Sequence, residues 1–271
     1  MYENFYGFKE KPFSLLPDPS FLFPGRQYSR AFALLGYAVV SNAGLAVITG
    51  EVGCGKTTLI RQMLNQLTQR ATVGLITNTA NMREHLLKRV MLAFRQEYRD
   101  MGPVELHEAL EDFLIGEYAR GQHTILIVDE AQNLSIETLE ELRLFSNINA
   151  DKDQVLQLLL VGQPGLKQKL EHPDLQQLAQ RVVVSFHLSP LRDRETPIYI
   201  RYRVRHAGGN PDLFTDAAAA MVHAHSGGVP RLINVLCDMA LVYGYRDSAK
   251  RIDTPHVEAV INDRTGREPP G

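Results

Sequence analysis

Residues 45–57 read Leu45-Ala46-Val47-Ile48-Thr49-Gly50-Glu51-Val52-Gly53-Cys54-Gly55-Lys56-Thr57, an apolar run that opens into glycines and closes on a lysine and a hydroxyl. The last eight residues fit G-x-x-x-x-G-K-[ST], and the run before them suits a buried strand. Glycines at this point let the backbone curl so that successive N–H groups face an anion, and a helix opening at Lys56 adds a favourable field. Lys56 is expected on the β- and γ-phosphates of ATP, and the Thr57 hydroxyl on Mg²⁺. Gly50, Glu51, Val52, Gly53, Cys54, Gly55 and Thr58 complete the expected nucleotide-contacting set. An isolated Gly-rich strand-to-helix turn would lack this agreement of glycines, lysine, hydroxyl and flanking elements.

Outward from the loop, short apolar runs recur at 45–49, 72–77, 124–128, 156–161 and 182–186. Helical patterns follow them at 56–69, 82–98, 104–119, 135–147 and 166–179. Runs apolar on both faces suit parallel strands covered by helices. The spacing predicts an α/β fold, a five-stranded, mostly parallel sheet with helices on both sides. After Ser189-Pro190 the strand pattern stops, and helices are expected at 192–207, 215–225, 230–243 and 254–262. Thr215 can cap the second of these, and Pro230 suits the first position of the third. The expected organisation is an α/β nucleotide-binding domain over 1–189, a small all-helical domain over 190–265 and a disordered tail over 266–271.

The run at 124–128 ends in Asp129-Glu130. Alternation in an extended chain points the two carboxylates in different directions. Asp129 is expected to serve Mg²⁺, and Glu130 to polarise the water that attacks a γ-phosphate, which is most of what phosphoryl transfer asks of a protein. Gln163, just past the run at 156–161, can hold that water or sense the γ-phosphate; alone it reads as a loop glutamine. Arg181 reads from spacing alone as a helix-end charge favoured by the local dipole. Arg231 opens a helix, where a cation is disfavoured, and a bound triphosphate would explain it. The Asn-Lys-x-Asp segment by which Ras-like GTPases read guanine does not occur.

Composition sets the background. The 271 residues are 44% apolar and 22% charged with a net charge of −2, values of a globular protein without the basic surplus of a static DNA binder. The two cysteines, Cys54 and Cys237, show no metal-ligand spacing and fit a reducing compartment. No signal-peptide pattern opens the chain, and the apolar runs are too short to span a bilayer, so a cytoplasmic location is expected, with peripheral attachment at the inner membrane left open.

Further motifs carry a family resemblance. They are Met1-Tyr2, Phe5-Tyr6-Gly7-Phe8, Pro12-Phe13-Ser14-Leu15, Pro17-Asp18-Pro19, Ala131-Gln132, Gly162-Gln163-Pro164, Gln180-Arg181, Gly227-Gly228-Val229-Pro230-Arg231-Leu232-Ile233-Asn234 and Cys237-Asp238. In these, nearly the whole chain resembles the AAA+ P-loop ATPases of the general secretion pathway protein A group and their relatives encoded with exosortase and exopolysaccharide export systems. The resemblance implies that Gln163 is a first sensor and Arg231 a second sensor carried by a helical lid. It implies that Arg181 is a finger completing a neighbouring subunit's site, and that Phe13 and nearby residues lie by the adenine. Self-association into a ring or spiral, and partners in an inner-membrane export or secretion complex, are implied with it. The alternative is a DNA-binding ATPase similar to transposition regulators. Two departures stand out: Gly165 replaces a common Glu after Gly-Gln-Pro, and the chain stops at Gly271 without the membrane span and peptidoglycan-binding domain of the secretion protein. The latter is read as a stand-alone ATPase or a truncated chain.

Overall fold

The computed structural model describes residues 1–41, 43–67, 71–77, 79, 85–150 and 153–265. The elements run α1 (Glu3–Tyr6), α2 (Arg26–Val40), β1 (Leu45–Gly50), α3 (Lys56–Leu67), β2 (Ala71–Ile76), α4 (Leu86–Ala93) and α5 (Pro103–Ala119). Next come β3 (His123–Val128), α6 (Ile136–Phe145), a short pair β4 (Asn149–Ala150) and β5 (Asp153–Gln154), β6 (Gln157–Gly162), α7 (Gly165–Leu170), α8 (Gln176–Gln180) and β7 (Val182–Leu188). Four helices close the chain: α9 (Glu195–His206), α10 (Asp216–Ser226), α11 (Pro230–Arg246) and α12 (Thr254–Thr265). Two compact units result, one of residues 29–50 and 59–188, the other of residues 1–28, 51–58 and 189 onward.

In the first unit five strands form one sheet in the order β2-β3-β6-β1-β7, and every pairing is parallel. The central strands β1 and β6 are buried along their whole length, as their unbroken apolar runs require, while the outer strand β7 alternates buried and exposed positions. The core here joins Val47, Leu126, Val128, Leu158 and Leu160 of the strands with Leu110, Leu139 and Leu142 of the helices. Register pairs Thr49 with Gly162, and Val128 with Leu160, so β1, β6 and β3 end along one edge of the sheet. The residues leaving that edge are Gly50, Gln163 and Asp129.

The single helix expected over 166–179 is broken into α7, a 3₁₀ turn at Pro173–Leu175 and α8. Pro173 lacks the N–H that a continuous helix would use, and its ring would clash with the preceding turn. The helix expected over 82–98 is described from Leu86 and ends at Ala93; residues 82–84 lie outside the described residues. Its end is a Schellman turn, with Arg95 at φ 58° and the Gln96 N–H on the Met91 carbonyl at 2.9 Å. Helix α2 and the antiparallel pair β4–β5 are additions that the pattern reading did not contain.

The second unit packs α9, α10, α11 and α12 around Ile200, Val204, Val222, Ile233, Leu241 and Val257. Sequence reading placed residues 1–28 with the sheet; they are instead built into this helical unit. Tyr2, Phe8, Phe13, Phe21 and Phe23 are part of its apolar core. Arg203 of α9 ties the segment down, its Nε donating to the Pro12 carbonyl at 2.6 Å and one Nη to the Ser14 carbonyl at 3.3 Å. The same guanidinium lies over the Phe21 ring at 4.4 Å. The expected tail at 266–271 lies outside the described residues.

Candidate functional site

Between β1 and α3 the chain takes the conformation its glycines permit. Gly53 and Gly55 have φ values of 84° and 92°, the left-handed region that an L side chain resists. Lys56, 6% exposed, donates from Nζ to the Glu51 carbonyl at 3.1 Å, and the Cys54 N–H reaches the same carbonyl at 3.2 Å. Residues 51–58 therefore form a curled loop whose lysine folds back across it. Burial pushes the Cys54 thiol up, against the pull of Lys56, so this cysteine stays a neutral filler rather than a nucleophile.

Arg231 meets this loop through its backbone: its N–H donates to the Gly53 carbonyl at 3.2 Å. A Cβ on Gly53 would sit 2.7 Å from the Arg231 Cβ and 3.1 Å from Val229 Cγ1, so a side chain there would push the start of α11 away. The guanidinium of Arg231 belongs to an exposed side chain. Thr57 and Thr58 follow in the first turn of α3.

At the sheet edge, Asp129 is 5% exposed and its N–H extends the β2 pairing to the Ile76 carbonyl at 2.8 Å. Its Oδ1 accepts from the Glu130 N–H at 2.9 Å. Glu130 itself sits at φ 54°, ψ 34°, a left-handed conformation that costs a non-glycine about 1–3 kcal/mol and clusters at functional sites. That turn brings its Oε2 to 2.6 Å from Gln132 Nε2 and 3.4 Å from Gln163 Nε2. Gln132 also accepts from the Gln163 N–H at 2.9 Å. One side-chain amide thus joins the expected base to the expected sensor. Gly162 leaves room for it, since a Cβ there would lie 2.7 Å from Gln132 Oε1.

Two expected residues make contacts that the sequence did not announce. Arg181 donates to the Ser146 carbonyl at 3.2 Å, to Ser146 Oγ at 2.8 Å and to Asn147 Oδ1, which closes the C-terminal end of α6. Spacing alone suggested a solvated charge at the end of its own helix; here the charge is partly buried on the end of another. Phe13 is 1% exposed, its ring edge-on to Phe214 at 5.7 Å, so the ring itself is a core side chain of the helical unit. Gln132 shows in the sequence only as part of the Ala131-Gln132 motif, and Tyr28, whose hydroxyl donates to the Cys54 carbonyl, carries no local signal of that contact.

A sequence-family model described as an AAA domain matches residues 39–170. The chain carries an AAA domain. General secretion pathway protein A of Aeromonas hydrophila is 38% identical over 253 residues, which cover 93% of this chain and 46% of that protein. The chain therefore spans just under half the length of this curated relative. Among solved structures, the AAA domain and its helical companion are similar to the Aeropyrum pernix ORC2 protein in its ADPNP–ADP complexes, with TM-score 0.69 and 19% identity over 94% of this chain and 72% of that one. They are also similar to Cdc6p from Pyrobaculum aerophilum, with TM-score 0.68 and 16% identity over 89% of this chain and 67% of that one. At these identities the likeness carries the fold alone. Among the described residues no helix is long and apolar enough to cross a membrane.

The donor set fits a nucleotide and Mg²⁺. The Gly55 N–H has no acceptor among the described residues, and the curl at Gly53 and Gly55 is of the kind that gathers amides on an anion. The hydroxyl of Thr57 and the carboxylate of Asp129 are hard oxygen donors, the kind Mg²⁺ takes one or two of beside phosphate and water ligands.

Proposed function

We propose that this AAA domain binds ATP with Mg²⁺ on residues 50–58 and hydrolyses it, with Glu130 orienting and polarising the attacking water. The observation that supports this most is the strained, left-handed Glu130 whose carboxylate is held by Gln132 and Gln163. A glutamate that merely ended a strand would need neither the strain nor two amide partners. Lys56 neutralises charge on the β- and γ-phosphates, and the loop amides orient them. Thr57 and Asp129 would hold the Mg²⁺, which would supply charge stabilisation to the phosphoryl oxygens. Gln163 reports the γ-phosphate to Glu130, Arg231 responds to it from α11, and Phe13 with its neighbours borders the adenine. Arg181 acts on the nucleotide of an adjoining subunit in a ring or spiral.

The Aeromonas relative is named for the general secretion pathway, which supports a role beside a secretion system. Our reading is an assembly or regulatory factor for a cell-envelope secretion or exopolysaccharide export system, with the helical unit as lid and inner-membrane components as partners. We place the protein in the cytoplasm, at the inner membrane when its partners hold it there.

Replacing Glu130 by Gln tests the chemistry. Turnover should fall roughly 100-fold or more, the range of a lost general base, while titration calorimetry still finds MgATP bound. A variant within a factor of about two of the parent would return Glu130 to a structural role.

A further inference from the structure

The loop has a hydrogen-bond partner that its motif does not contain. Tyr28 stands near the start of α2, in the same compact unit as residues 51–58, and is 8% exposed. Its hydroxyl donates to the Cys54 carbonyl. A peptide unit is planar and trans, so the carbonyl of Cys54 and the N–H of Gly55 point opposite ways. Holding the carbonyl on Tyr28 turns the Gly55 N–H to the other face of the loop. Among the described residues that N–H has no acceptor, whereas the neighbouring Cys54 N–H is used by Glu51 at 3.2 Å.

A second, independent observation concerns the glycine. Gly55 has φ 92°, and a Cβ built on it would run into the Tyr28 hydroxyl. The space that the motif glycine leaves is therefore the space the hydroxyl fills. Burial, and then the nearby Tyr199 and Cys54, push the Tyr28 pKa well up, so the group remains a protonated donor at any physiological pH.

We propose that Tyr28 is a positioning residue for nucleotide binding, setting the Cys54–Gly55 peptide so that the Gly55 amide faces the β-phosphate of a nucleoside di- or triphosphate. Tyr28 touches no phosphate itself. The inference rests on the nucleotide-binding reading above. It requires that the contribution be specific to phosphates: ATP, ADP and inorganic tripolyphosphate all depend on Tyr28, and the base does not.

The test uses the full chain with Tyr28→Phe, which removes only the hydroxyl, and Tyr28→Leu, which also removes the ring. Dissociation constants for MgADP, MgATP and tripolyphosphate are measured by calorimetry and competition where all three proteins are folded. One lost hydrogen bond should weaken all three ligands about threefold to tenfold in both variants, with only Leu lowering the melting temperature appreciably. The KM for ATP should rise in step for Tyr28→Phe while kcat at saturation stays within about twofold. Parent-like constants for Tyr28→Phe would overturn the inference and leave Tyr28 as packing. So would a loss for ATP that tripolyphosphate does not share. A parent protein that binds no nucleotide would instead overturn the nucleotide-binding reading.

Discussion

Gln132 shows what a motif conceals at the scale of one residue. Its amide is bivalent, donating to Glu130 and accepting from the Gln163 backbone, so it fixes the carboxylate relative to the end of β6. Gln132→Ala should lower kcat by about tenfold to a hundredfold with KM little changed, because misplacing a catalytic group by a fraction of an ångström carries that cost. Gln132→Glu keeps the length of the side chain but donates nothing to Glu130 and sets a like charge beside it, so kcat should fall at least as far as with Gln132→Ala. Parent-like turnover in both variants would mean that Gln132 does not touch the working carboxylate. The strand, the curl of glycines and the acidic strand end around Lys56, Thr57, Asp129 and Glu130 were legible in the sequence because their signals are local. The contacts of Gln132 with the Gln163 N–H and of Tyr28 with the Cys54 carbonyl were not, since they span 31 and 26 residues and no spacing rule reaches that far.

At the scale of elements, the strands were the most legible part. An apolar run buried on both faces has few places to go except the middle of a parallel sheet, and β1, β3 and β6 went there. Helix α2 escaped notice for a physical reason: the stretch around Ala31–Ala38 is apolar nearly throughout, and Gly36 in its middle weakens the helical signal. The α5–β2 packing carries a testable charge. Glu117 on α5 is buried, which alone would raise its pKa, yet the Thr72 hydroxyl of β2 and the Arg120 guanidinium together hold it below the ordinary glutamate range. A folded pKa below the unfolded one means stabilisation that is fully present above the unfolded value and is lost as pH falls through the folded value. The melting temperature of Glu117→Gln should therefore lie below the parent's near neutral pH, with the gap closing as the pH falls below about 4. A gap that stays constant across that range would show that Glu117 matters through its shape and not its charge.

At the scale of the whole molecule, the trans role proposed for Arg181 makes a demand that a helix-end arginine does not. The guanidinium now satisfies Ser146 and Asn147, so reaching another subunit's nucleotide means leaving them. Arg181→Ala retains its own Glu130, and Glu130→Gln retains its own arginine. Mixed under conditions where subunits exchange, the two should give ATP turnover above the sum of their separate rates. No gain in verified mixed oligomers of two folded variants would leave Arg181 as the cap of α6. The chain also has an order of manufacture. The aromatic segment from Tyr2 to Phe23 takes its partners from α9 to α12, and residues 51–58 belong with the same late-made helices. At translation speeds of about 5–20 residues per second, residues 2–23 wait on the order of 10–50 s for α12 to be made. Until then five apolar aromatic side chains have no core, and the glycine loop has no α11 to hold Gly53. A nascent chain interrupted before Ser189 is thus sticky along residues 2–23 and unfinished at its glycine loop, a state for a holding chaperone to occupy.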